Sequence, residues 1–205
     1  MIGGAAISVK QINDETMHML ELAYENVNQA FGQLLQFSDK IDEQIYKRED
    51  TVNYLDKVIS EYISTALATP NLNVNISQAL SSYYLMLVDI ERISDYAVNM
   101  NHQATKRLQG DMTISEIEIV EHMKKLCVDM KNDLSDVEEA ERKDDVIDSL
   151  VSSWREAQIQ ALKQQKCSSE VSMMLSRIFT DFERINDHAL NVSQELDKIT
   201  FEIPD

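Results

Sequence analysis

Glycine and proline are almost missing from this chain, at four and two among 205 residues. Apart from Gly32, they lie near the ends, at Pro70 or at Gly110. All-β and α/β folds need far more turn residues, so the shortage excludes those classes and leaves an all-helical protein. Positive charge is also scarce: 19 Lys and Arg stand against 36 Asp and Glu, a formal net charge of −17. That deficit argues against a nucleic-acid partner, whose phosphates need a basic face, and against docking by charge on an anionic membrane. It suits a protein that attracts cations, although an acidic surplus on helices also arises from a solvated face alone.

Cysteine is limited to Cys127 and Cys167, in no metal-binding or redox spacing. Free thiols in a reducing compartment are the natural reading. Long apolar runs are absent: the longest, YYLMLV at 83–88, is far below the roughly 18 residues that span a bilayer. The opening MIGGAAISVK has no charged n-region and no long apolar h-region, so it is not a signal peptide. An amphipathic helix begins almost at once behind it, as in a piece excised from a longer chain.

What is present is helical periodicity along nearly the whole chain, with helices expected at 8–38, 40–68, 74–108, 113–138, 140–166 and 169–198. Pro70 ends the second, and Asn73 or Asn75 caps the third. Gly110 is placed as a C′ residue, and Thr113 with Glu116 forms a capping box for the fourth. The chain also repeats itself. DIERISDYAVNM at 89–100 returns ninety-two residues later as DFERINDHALNV, with seven of twelve positions identical. EDTVNYL at 49–55 aligns with DDVIDSL at 144–150, and the small change of offset falls in the connection holding Pro70. Two copies of a three-helix unit are therefore expected, 1–109 and 110–205, as tandem up-down bundles.

Within each copy, carboxylates interrupt an apolar stripe. Leu87, Glu91, Asp95 and Val98 share one face of the third helix; Phe179, Glu183, Asp187 and Leu190 share the same face of the sixth. On the middle helices Glu49 and Asp56 sit among Ile45, Val52 and Ile59, and Asp144 precedes Ile147, Val151 and Trp154. Like charges one turn apart cost about 0.2–0.5 kcal/mol on an exposed helix, and several kcal/mol when partly buried and unpaired. Arg92 follows Glu91 directly and is expected to point about 100° away from it. A bound cation at each copy offsets the penalty; a solvated or arginine-paired acidic seam is the alternative. All-oxygen ligands suit Mg²⁺, Mn²⁺, Ca²⁺ or iron rather than structural zinc. Asn99 and Asn191, one turn further, are candidates for carbonyl ligands or supporting hydrogen bonds.

ERISDYAVN and ERINDHALN resemble the E-R-x-x-D-x-A-x-N segment of PhoU-type phosphate-uptake regulators, and EDTVNYL and DDVIDSL resemble the acidic first half of that family's metal site. The resemblance covers most of the chain. It implies two tandem three-helix bundles, spectrin-repeat-like in their up-down path, each able to hold iron or another divalent or trivalent metal. The first ligand set would be Glu49, Asn53, Glu91 and Asp95, with Asn53 standing where the family commonly has an acid and so weakening that site. The second would be Asp144, Asp148, Glu183 and Asp187. Asp50 and Asp145 are neighbouring acids. Ser94 and Asn186 replace a common Gly, and Tyr96 a common His.

KQINDETMHMLELAYENV near the start looks more like the PhoU-like domain behind the membrane part of a sodium/phosphate cotransporter than like a stand-alone regulator. That implies a regulatory accessory domain of phosphate transport, in the cytoplasm and tethered to the inner face of the plasma membrane by a preceding transmembrane region. Its partners would be the transporter moiety or a phosphate-signalling protein, and a homodimer is compatible with the family. No nucleic acid and no insertion of this segment into a membrane are expected.

Catalysis has no positive case. A carboxylate-bridged di-iron oxidase needs a Glu-x-x-His motif from each of two helices, and Glu15-Thr-Met-His18 is the single instance. His188 as a phosphotransfer residue has Tyr96 as its counterpart, and neither a nucleophile–base pair nor a phosphate-cradling loop is visible. A metal-free helical interaction module is the remaining reading.

Overall fold

The computed structural model describes residues 2–199, with side chains from residue 9 onward. The side chains of the GGAAIS opening therefore lie outside the described residues. Six long helices follow one another: α1 (Ile2–Leu35), α2 (Asp39–Leu67), α3 (Val74–Ala104), α4 (Ile114–Asn132), α5 (Val137–Lys163) and α6 (Ser169–Lys198). A 3-10 turn at Leu108–Asp111 joins the two triplets, and no strand occurs among the described residues. The all-α expectation holds.

Caps account for most helix starts. Asn73 accepts a hydrogen bond from the Asn75 amide, and Thr113 and Glu116 form the full capping box. Asp136 and Ser168 cap α5 and α6 through the amides of Glu139 and Val171. Capping by Asp136 starts α5 three residues before the periodicity suggests. The helix ends differ from expectation in an instructive way. With so little glycine, the left-handed backbone positions fall to Asn71, Arg107 and Gln165, at φ of 61°, 55° and 56°. Gly110 is not a C′ residue: α3 has already ended at Ala104, Arg107 takes the left-handed turn, and no described glycine has positive φ. The α1–α2 corner is closed by Gln33, whose side chain donates to Ser38 O at 2.9 Å and accepts from Ser38 N at 2.7 Å.

Within each triplet every helix packs on the other two. The triplets then join side by side, α3 against α6 and α1 against α4. One continuous apolar core results, drawing on all six helices. Phe31 of α1 meets Phe182 of α6 edge-on across the join, with centroids 6.3 Å apart. The joining faces of α3 and α6 are thus taken, which leaves the α2–α3 and α5–α6 seams to present their polar stripes to solvent.

Candidate metal centres

Each triplet gathers its carboxylates along the seam between its second and third helices. In the first, Glu49 of α2 is 8% exposed, and Asp56, Glu91 and Asp95 are half-buried around it. Glu49 is held from behind by a relay that begins on α2 itself. Arg48 Nη1 donates to Asn26 Oδ1 at 2.8 Å, Asn26 Nδ2 donates to Ser94 Oγ at 3.0 Å, and the Ser94 hydroxyl donates to Glu49 Oε2. The other oxygen, Glu49 Oε1, is buried with no hydrogen-bond partner. A buried acceptor in that state costs about 1–3 kcal/mol, and more if charged, until a proton or a cation meets it.

Burial is the main force raising the Glu49 carboxyl above the usual range; the Ser94 hydroxyl opposes it, Asp95 adds to it, the Asn53 amide opposes and Asp50 adds. Glu91 rises through burial and then Asp95, against Arg92, with Asp56 and Glu49 adding. Asp56 rises through burial, against a hydrogen bond from Ser60. Asn53, Asp50 and Asp145 are exposed at the rim.

The second triplet repeats the pattern without the relay. Asp144 of α5 is half-buried, and its Oδ1 is enclosed with no hydrogen-bond partner. Burial, then Asp148, Asp187 and Asp145, push its carboxyl up to about 6. Asp148 is exposed, and burial followed by Asp187, Glu183 and Asp145 raises it. Asn186, in the place of Ser94, faces inward and donates to Phe182 O at 2.7 Å, so it does not repeat the contact that Ser94 makes.

Arginines occupy part of both seams. Arg92 does not point away: its Nε lies 3.7 Å from Glu91 and its Nη1 3.6 Å from Asp95, because a long flexible side chain reaches back across the helix surface. In the second seam Arg155 Nη2 donates to Glu183 at 2.6 Å and Arg184 Nη1 to Asp187 at 3.2 Å. Among the described residues no three Asp, Glu, His or Cys side chains converge as the ligands of one ion. The arginines that reach Glu91, Asp95 and Glu183 offset part of the repulsion among these carboxylates. The donor chemistry nevertheless fits a hard cation, since each seam combines several carboxylates with one enclosed carboxylate oxygen that has no partner.

One of the two further asparagines, Asn191, is engaged elsewhere. Asn99 is exposed, and Asn191 Nδ2 donates to Asp89 Oδ1 at 3.0 Å rather than serving the seam. A polar contact that the sequence reading did not foresee lies there, between α3 and α6. His188 Nδ1 is 2.7 Å from Asp89 Oδ1, and its ring stacks on Tyr96 at 5.8 Å. Tyr96 and His188 hold equivalent places in the repeated motif, which is the signal that paired them. Cys127 is buried and Cys167 half-buried, both free. Burial raises both thiols.

Comparison with known proteins agrees with this architecture. The PhoU domain model matches residues 16–104 and again 114–196. The phosphate-specific transport system accessory protein PhoU homolog 1 of Thermotoga maritima is 23% identical over 197 residues, covering 90% of this chain and 84% of the relative. The crystal structure of PhoU from Pseudomonas aeruginosa superposes with a TM-score of 0.82 at 19% identity, over 94% of this chain and 97% of that one. The phosphate transport system regulatory protein PhoU from Streptococcus pneumoniae gives 0.83 at 19% identity, over 98% and 99%. At those identities the two structures speak for the fold alone. With the domain matched twice over most of its length, the chain belongs to the PhoU family.

Proposed function

We propose that this chain is a stand-alone PhoU-type regulator of phosphate uptake and signalling, and that each of its units, 1–109 and 110–205, binds metal at its carboxylate seam. The chain is a non-enzymatic accessory protein of its family. Its relatives are accessory and regulatory proteins of phosphate transport systems, which favours this reading over the tail of a sodium/phosphate cotransporter. No helix among the described residues is long and apolar enough to cross a membrane. In the role its relatives' names suggest, the chain would work on the cytoplasmic side beside a phosphate transporter or a signalling protein.

One observation carries the metal-binding half. Glu49 Oε1 and Asp144 Oδ1, at equivalent places in two repeats, are both enclosed and without hydrogen-bond partners among further carboxylates. Glu49, Glu91 and Asp95, with Asn53 and Asp56 beside them, would hold metal in the first seam. Asp144, Asp148, Glu183 and Asp187 would do so in the second. Bound metal supplies a positive centre for phosphate or for an acidic group of a partner. Magnesium, manganese, calcium and iron all match an all-oxygen donor set. The protein's own part is to hold Glu49 through Ser94 and Asn26 and to keep the inner oxygens dry, and metal would have to displace Arg92 and Arg155 from the carboxylates they meet.

Elemental mass spectrometry on protein purified without chelators, beside the Glu183→Ala/Asp187→Ala variant, tests the metal half. Metal that falls in the variant is expected; none, even after incubation with excess Fe²⁺, Mn²⁺ and Mg²⁺, would refute it. Radiolabelled phosphate uptake in a deletion strain at high external phosphate tests the regulatory half. Uptake should change on deletion and return to normal with the intact chain, and an unchanged rate would overturn it.

A further inference from the structure

The two repeats share a core pattern and differ on their outer faces. On α2, Tyr54, Val58 and Tyr62 follow one another at single-turn spacing and are 65%, 43% and 46% exposed. The equivalent positions of α5 are Ser149, Ser153 and Ala157, all exposed. On this face the second repeat carries small side chains where the first carries large apolar and aromatic ones. Exposed aromatic and branched side chains aligned on one helix face mark an interface, because rings bury much area at little entropic cost.

Val58 and Tyr62 also form a wall of an open groove between α2 and α1, about 320 Å³ in volume. Its floor is Ile59 and Ile12, and its α1 rim is Gln11, Asp14 and Glu15. The groove is apolar inside and acidic along one edge, with no cationic side chain among its described lining residues. We propose that it is the docking site for a basic amphipathic helix of a partner protein. Apolar side chains of that helix at i and i+4 would enter beside Val58 and Tyr62, and its Lys or Arg residues would face Asp14 and Glu15. A second copy of this chain is a poor occupant, since it would bring its own acidic rim and a net charge of −17 to the same place. The groove lies on the α1 side of α2, away from the α2–α3 seam, so its use does not depend on metal.

The test uses two fluorescently labelled helical peptides of equal length, one of Leu and Lys and one of Leu and Glu, with Leu at the same single-turn spacing. Binding to the full chain is followed by anisotropy at physiological salt and mapped by amide chemical shifts. A triple variant, Tyr54→Ser/Val58→Ser/Tyr62→Ala, gives the first repeat the residues of the second; unchanged circular dichroism and melting establish that it is folded. The lysine peptide should bind the native chain with shifts centred on Ile12, Val58 and Tyr62, should bind the variant about tenfold or more weakly, and the glutamate peptide should not bind. Equal binding of the lysine peptide to variant and native chain would show general acidity alone and overturn the proposal. So would shifts centred elsewhere, no binding of the lysine peptide, or a native dimer that the variant abolishes, which would make a second copy the occupant.

Discussion

Asp144→Asn isolates the electrostatic strain of the second seam. Burial and three neighbouring aspartates lift this carboxyl from its ordinary 3.8 to about 6, so the folded protein holds the proton more tightly than the unfolded chain does. The stabilisation from the neutral form is full below the unfolded value, and it is lost as pH rises through the folded one. At about 1.4 kcal/mol per tenfold change in proton affinity, the whole effect is about 3 kcal/mol. Partial solvent exposure of the group screens this to about 1–2 kcal/mol. Metal-free protein with Asp144→Asn should therefore melt about 2–8 °C higher than the native chain near neutral pH, at about 2–4 °C per kcal/mol for this size. At about pH 4 the two should melt together. Saturating Mn²⁺ should raise the native melting temperature and close or reverse the gap, because the variant lacks one charged ligand. Scanning calorimetry across the pH range reads all three. A variant that melts lower than native when metal-free at neutral pH, or higher by the same amount at both pH values, would refute the reasoning.

Ser94→Ala removes the hydroxyl that donates to the buried Glu49 carboxylate and should cost about 1–3 kcal/mol in urea melts; adding Glu49→Leu should recover most of it, since removing both partners is nearly neutral. Gly110→Ala should change stability by less than about 0.5 kcal/mol, because a Cβ there meets nothing within 4 Å and the backbone needs no positive φ. Thr113→Ala breaks a capping box present in both directions and should cost about 1 kcal/mol, visible as a lower urea midpoint with unchanged slope.

Local chemistry was legible in the sequence, and long-range chemistry was not. The twofold motif, the helical period and the near absence of glycine led to the all-α class and the two triplets. Asn73 and the Thr113–Glu116 pair marked helix starts because caps act within three residues. The ends at Arg107 and Gln165 were invisible, since a left-handed turn taken by a non-glycine residue leaves no trace in composition. Carboxylates in an apolar stripe pointed to the seams, and α2 and α3 do bring Glu49, Glu91 and Asp95 to one of them. What holds Glu49 there joins residues 45 and 68 positions apart, which periodicity cannot register. The direction of a Cα–Cβ bond misjudged Arg92, whose reach comes from its flexible stem. The contrast between Tyr54, Val58 and Tyr62 and their counterparts in α5 emerges only when exposure is set beside the repeat.

Metal binding at the two seams is tested most directly by anomalous diffraction from crystals of the intact chain grown with Mn²⁺, collected so that manganese scatters anomalously. Peaks are expected in both seams, one within ligand distance of the Glu49 carboxylate and one within ligand distance of the Asp144 carboxylate, with Arg92 and Arg155 withdrawn from the acids they now meet. Crystals with Mn²⁺ bound elsewhere or nowhere, and with the arginines still seated on Glu91, Asp95 and Glu183, would contradict it.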